Sequence, residues 1–277
     1  MKQKKLPVLL NKPIKHYTMK HLSFLLVVPT LAALLFSGCI RLNTNDFKIT
    51  YSYDNADRYK PGSEPIANEI SKLEVDWVSG NVAIESYDGS ELTFAESSDK
   101  TLDEKTTMHY WMQEGGHLHI QFGKSGCKFK NLDKQLTVKI PASWNLDKIE
   151  LDVVSSDVTV NGIVCDDFEL DGVSADVDIR TSVMKEFEMN TVSGNLNADF
   201  SGADAEACLD KLSLESVSGS ASLVLPESWG FSAEMESVSG KVICPFATKV
   251  AKGEYTYGDG RIDIDMESVS GSLTISH

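Results

Sequence analysis

The residues whose spacing most suggests chemistry are carboxylates. Glu150 and Asp152, Glu169 and Asp171, and Glu188 recur at intervals of 19 residues. Residues two apart in a strand point to one face. Stacked strands of this kind would therefore set Glu150, Glu169 and Glu188 in one row and Asp152 and Asp171 in the next. Carboxylate-dense surfaces suit calcium, so these five side chains are candidate ligands for a divalent cation, with calcium the one cofactor considered and none required. The competing reading is a charged β face that stays soluble and resists sheet-on-sheet association.

Other chemistry is sparse. His117 and His119 flank Leu118 on one strand face, a spacing that can serve a metal, yet no further ligand lies beside them and a solvated face is expected. No Ser-His-Asp order, Walker loop, HExxH or CxxC occurs, so no catalytic residue is expected. A calcium-dependent carbohydrate-active enzyme is the enzymatic alternative. From Leu146 onward its only candidate arginines are Arg180 and Arg261, each close to carboxylates.

The elements that must position the carboxylates are written seven times. Val-Ser-Gly recurs with corners at Ser79-Gly80, Ser193-Gly194, Ser218-Gly219, Ser239-Gly240 and Ser270-Gly271, and in degenerate form at Ser155-Ser156 and Ser174-Ala175. With the Val as position zero, positions −5, −3, 0, +4 and +6 are apolar in every copy, as at Phe168, Leu170, Val173, Val177 and Ile179. The two-residue steps are strand steps. The uneven steps around the Val demand a corner, so each unit is strand, corner, strand, with the Val expected in the core. Gly is expected there for its small size, and the Ser hydroxyl for local bonds to corner backbone. A period near 20 predicts an all-β, single-stranded β-solenoid, a β-helix-like stack of roughly 20-residue coils.

The first 38 residues carry six Lys, no acid, and an apolar run from Leu22 to Phe36. That is a secretory signal pattern, for which Met19-Lys20-His21 makes a tidier start than Met1. Phe36-Ser37-Gly38-Cys39 resembles the lipobox of bacterial lipoproteins, which implies lipidation of Cys39 and removal of residues 1–38; an uncleaved anchor is the alternative. Either places the rest outside the cytoplasm, lipid-anchored to the cell membrane in the first case. Residues 39–69 read as lipidated Cys and polar tether, with one early strand near Phe47–Tyr53, and residues 70–277 as the solenoid domain. The whole chain has a net charge of −15; loss of six lysines takes the basic count from 26 to 20 against 41 acids, or −21. Nucleic acid is excluded as a partner by repulsion. The spacing of Cys165 and Cys208, two coils apart, exceeds disulfide reach, so no disulfide framework is expected.

Between Val78 and Val154 lie 76 residues, room for further coils with eroded corners, using the alternating runs at Leu92-Phe94, Leu118-Ile120-Phe122 and Leu136-Val138-Ile140. Pro141-Ala-Ser-Trp144 and Pro226-Glu-Ser-Trp229 each end a strand, and the Trp is expected to cover a core end. At outward positions −4 and −2, twelve of fourteen residues are acidic, whereas positions +3 and +5 are mainly neutral. One face is therefore acidic and the other is not.

The Val-Ser-Gly units, the Pro-led strand ends and Gly258-Asp259-Gly260 before the last unit resemble the bacterial putative adhesin family, over residues 70–277. The resemblance implies a β-solenoid-like fold and a surface location, and supplies no catalytic residue. The expected function is a non-catalytic cell-surface lipoprotein, an adhesin-like binding module presenting its acidic face to a surface glycan or protein. An accessory or sensing protein for envelope stress is the alternative.

Overall fold

The computed structural model of the chain describes residues 40–43, 48–203, 209–251 and 253–277. An antiparallel hairpin of β1 (Ile40–Asn43) and β2 (Lys48–Tyr51) comes first, then β3 (Lys60–Pro61) and the long β4 (Lys72–Tyr87). β5 (Thr93–Ser97), β6 (His109–Gln113), β7 (His117–Gln121) and β8 (Lys134–Pro141) precede a second long strand, β9 (Leu146–Asn161). Later coils break at the corner: β10 (Cys165–Ser174) with β11 (Val177–Arg180), β12 (Glu186–Ser193) with β13 (Leu196–Asp199), and β14 (Lys211–Ser218) with β15 (Ala221–Val224). β16 (Phe231–Ser239) and β17 (Val242–Ile243) follow, then β18 (Lys249–Ala251), β19 (Glu254–Tyr257), β20 (Ile262–Ser270) and β21 (Leu273–Ser276). The described residues contain no helix.

The architecture is the expected β-solenoid, with each coil's first arm in one parallel sheet and its second arm in another. β4 and β9 run through the corner and join both sheets, so the pairing network is cyclic although no barrel is enclosed. Register follows the repeat: Phe168 stands opposite Ile149 and Phe187, and Val177 opposite Val158 and Leu196.

The order of coils is not the order of sequence. In space the stack runs β7/β8, β4, β9, β10/β11, β12/β13, β14/β15, β20/β21, β16/β17. The first and last repeats are each enclosed between two other coils. The insertion between Cys244 and Ile262 makes this possible, since β19 turns back antiparallel along β16 and returns the chain to its inner side. The segment between β4 and β9 likewise supplies one further coil, not several: β7 and β8 stack in parallel on β4, while β6 and β5 pair antiparallel with them.

The invariant Val is not a core residue. Positions −5, −3 and −1 are buried in six of the seven copies, as in Phe187, Met189 and Thr191, whereas Val192 is only half-buried and Val238 is 72% exposed. Strand alternation runs straight through the Val, and the inward phase shifts one residue later, at the corner itself. The apolar −5/−3 and +4/+6 pairs are core, as expected; the Val forms an outward ladder beside the carboxylates.

Corner glycines mark a close approach. A Cβ on Gly194 would lie 1.9 Å from the carbonyl oxygen of Ala175, and one on Gly80 would lie 2.1 Å from that of Lys134. These two also have φ of 149° and 108°, a region that favours Gly, so small size is not their only requirement. Gly219, Gly240 and Gly271 crowd a neighbouring corner carbonyl in the same way.

The corner serines Ser155, Ser174, Ser193, Ser218, Ser239 and Ser270 are exposed and aligned from coil to coil. Among the described residues, only Ser79 of the seven uses its hydroxyl, donating to Asp133. Local bonds instead come from position −1, which the inward phase carries into the corner. Thr191 Oγ1 donates to Ser193 O at 3.1 Å, and the Ser216 and Ser268 hydroxyls pair at 3.2 Å.

Part of the expected tether is packed. Tyr51 is 4% exposed, and its hydroxyl donates to Gln121 Oε1 at 2.7 Å and accepts from Phe122 N–H at 2.9 Å. Tyr53 and Tyr59 continue the aromatic contact, with ring centroids 4.6 Å apart. Cys127, Cys165 and Cys244 are free thiols; burial raises Cys165 to a pKa of about 12. Trp229 is buried against Phe200, at 6.0 Å between ring centroids, and Trp144 is half-buried. Cys39 and the signal lie outside the described residues.

Candidate functional site

The first-arm sheet presents the outward rows in register. Glu74, Glu150, Glu169, Glu188, Ser213, Asp265 and Glu234 form one row, and Asp76, Asp152, Asp171, Asn190, Glu215, Glu267 and Glu236 the next. Five of these were candidate cation ligands from sequence, and Glu150–Glu169–Glu188 and Asp152–Asp171 do stand side by side.

What the repeat pattern left unread is position −6. It places Lys72, Lys148 and Lys211 on the same face, and the first two interleave with the acids. Lys72 Nζ lies 3.3 Å from Glu74 and 2.6 Å from Glu150; Lys148 Nζ lies 3.5 Å from Glu150 and also bonds Glu169. Asn190 Nδ2 donates to Asp171 at 3.0 Å and to Glu188 at 3.1 Å. The candidate ligands are thus already engaged. Among the described residues no group of three or more His, Cys, Asp or Glu is placed to hold a metal ion.

Near β7 the face turns inward. Asp76 is 4% exposed and accepts from Gln121 Nε2, while Gln121 Oε1 accepts from the Tyr51 hydroxyl. Asp152 shares a hydrogen bond with Asp76, and burial followed by the Asp76 charge raises its pKa to about 8. One proton held between two neighbouring carboxylates accounts for that direction. His119 is no solvated residue: it stacks on Trp111 at 5.2 Å, and its Nδ1 lies 3.2 Å from Glu74. The antiparallel β6, which belongs to no copy of the repeat, covers it through Trp111.

The other half of the face differs. Glu215, Glu234, Glu236, Asp265 and Glu267 surround a depression of about 180 Å³ that contains one cation, Lys211. Among the described residues Glu215, Glu234 and Glu236 take part in no salt bridge. Burial, then the charges of Glu188 and Asp171, raise the pKa of Glu215. Chemically, this half can accept cationic groups.

No curated protein matches the chain. Among solved structures it resembles a putative cell adhesion protein from Clostridium sporogenes, at 16% identity and a TM-score of 0.47, covering 78% of this chain and 99% of that one. A putative adhesin from Bacteroides fragilis gives 12% identity and a TM-score of 0.40 over 77% and 95%. A putative lipid binding protein from Parabacteroides distasonis gives 16% and 0.28 over 79% and 97%. The family model described as Toastrack DUF4097 matches residues 70–209, a stretch that includes β4 through β13. The chain is a member of the Toastrack DUF4097 family.

Proposed function

We propose that this protein is a non-catalytic, adhesin-like binding module, held at the outer side of the membrane through lipid on Cys39, that engages surface partners with its acidic face. The observation that carries the reading is the alignment of positions −4 and −2 over seven coils, ending in the carboxylate-lined depression around Glu215, Glu234 and Glu236. A regular, rigid row of charge favours an extended partner of opposite sign, a cationic glycan or a basic protein segment. Rim charges act mainly on association rate and salt dependence, so binding should weaken steeply with ionic strength.

The test is retention of the chain on immobilised deacetylated (cationic) chitosan against hyaluronan (anionic), with Glu215→Gln/Asp265→Asn as the variant. Selective retention on the cationic polymer, reduced at least tenfold in the variant, is expected. Equal retention on both polymers would sink the acidic-face reading. Anchoring is tested separately: Cys39→Ala should abolish labelling by a fatty-acid analogue.

A further inference from the structure

The solenoid has one incompletely covered end. β19 lies along β16 only from Phe231 to Ala233, opposite Tyr257 and Tyr255. Beyond Ala233, no described strand lies on the outer side of β16 or β17. The phase of the hydrogen bonds is fixed by Ile262 N–H, which donates to Gly230 O at 3.1 Å. Even-numbered residues of β16 thus face β20, and odd-numbered ones face away. Phe231 and Ala233 spend those outward groups on β19; the same alternation aims the N–H and C=O of Met235 and Ser237 past its end.

Side chains mark the same place. Met235 occupies position −3, buried in every neighbouring coil at Leu151, Leu170, Met189, Leu214 and Met266, but is only half-buried itself. Val238 is 72% exposed and Ile243 41%. The Ser237 hydroxyl is buried with no hydrogen-bond partner among the described residues. An open edge with apolar side chains is a template for strand addition.

We propose that the edge of β16 from Glu234 to Ser239 accepts an extended, basic strand from a partner protein. Charge selects that occupant. Glu234 and Glu236 project outward at the edge, and a strand paired there would set its own alternate side chains beside them. Lysine or arginine at those positions is matched. A second copy is not, because it brings the same glutamates and a net charge of −15. Six edge residues span about 20 Å, the length of a short linear segment. This goes beyond the acidic-face reading, because it requires backbone pairing at the end of the stack.

The experiment uses the full chain and three synthetic nonapeptides: alternating valine and lysine, alternating valine and glutamate, and alternating proline and lysine. Proline cannot donate to a sheet ladder, so the third carries the charge without the strand. The valine–lysine peptide should bind at least tenfold more tightly than either other peptide, and should slow amide exchange at Met235 and Ser237. Glu234→Lys/Glu236→Lys should reverse the order of the valine peptides. Met235→Pro should abolish binding while leaving amide exchange in β9 and β10 unchanged. Equal binding of the proline–lysine peptide overturns the edge proposal and leaves the acidic-face reading standing. No binding of the valine–lysine peptide overturns it as well, as does a dimer in sedimentation that Met235→Pro dissolves, which would assign the edge to a second copy.

Discussion

The two ends of the stack solve the same problem differently. A solenoid exposes its core and a sheet edge at each end. At one end β6 and β5 run antiparallel along β7 and β8, and Leu118, Ile120, Leu136 and Val138 are at most 1% exposed. At the other, β19 and the aromatic group of Phe246, Tyr257 and His277 cover Phe231 and Ala233, while Met235, Val242 and Cys244 stay half-buried. The sealed end can hold buried charge. The open end keeps its charge on the surface, where a partner can use it.

The largest effect should come from the charge inside the sealed end. Lys134 Nζ is fully buried, 2.6 Å from Glu96 Oε2 and 2.8 Å from Thr106 O, and its cation sits 4.3 Å from the Phe122 ring centroid. Burial lowers its pKa, with Glu96 acting against that. Lys134→Ala would leave Glu96 buried without its partner, costing about 3–5 kcal/mol. Lys241→Ala, at the exposed corner of the open end, should stay within about 0.5 kcal/mol. Urea denaturation of both variants checks the contrast; equal losses would mean the two ends are sealed alike.

A truncation pair sharpens it. Ile120 and Met235 occupy the same coil position, since Val75 pairs with Ile120 and Met266 with Met235. Ile120→Ala should cost about 2–5 kcal/mol, the range for a fully buried aliphatic. Met235→Ala should cost less than half as much, because part of that side chain already faces water. The ratio, read from chemical denaturation midpoints, is the measurement.

Much of this was legible in the sequence. The −5/−3 and +4/+6 pairs fixed both sheets, and the acidic −4 and −2 positions gave two rows that do align. The Val misled, because an apolar residue in every copy reads as core although strand phase places it outside. Thr191 and Ser216, polar and buried at −1, gave no apolar signal. Spatial order was unreadable because hairpin insertions reorder coils without altering any repeat. The lysines of the −6 row were visible but fell outside the pattern, being Lys in only three copies. His119 and Asp76 owe their burial to β6 and to Tyr51, contacts between segments that share no periodicity.

A smaller effect separates the ends by pH. The pKa of Asp152 is raised to about 8, by burial first and then by Asp76, with Asp171 and Glu150 adding to it. The folded state therefore holds a proton that the unfolded chain releases near the ordinary carboxylate range. This contribution is full below about pH 4 and is lost as pH rises through about 8. Asp152→Asn should raise stability at pH 8.5 by about 1–2 kcal/mol, one pKa unit being worth about 1.4 kcal/mol, and change little at pH 4. Val238→Ala, at the open end and without a titrating group, should give a flat difference across that range. A pH-independent effect of Asp152→Asn in thermal melts would dissolve the shared-proton reading.

The smallest effect concerns salt, and it decides what the carboxylate rows are. If Glu150, Asp152, Glu169, Asp171 and Glu188 shared calcium, the ion would bind only the folded stack and raise its stability by mass action. The structure places Lys148 against both Glu150 and Glu169, and Asn190 against both Asp171 and Glu188. A divalent ion would have to displace these contacts, so its gain over simple screening is small. Millimolar calcium chloride and sodium chloride of matched ionic strength should therefore raise the melting temperature alike, by about 1–2 °C, which for a chain of this size is about 0.5 kcal/mol. The rise should be larger for Lys148→Ala, which restores repulsion between neighbouring glutamates about 5 Å apart. An excess for calcium in the unmodified chain, removed by Glu169→Gln/Asp171→Asn, would instead establish a cation site on these rows. It would also show that the lysine contacts are displaced when the ion binds.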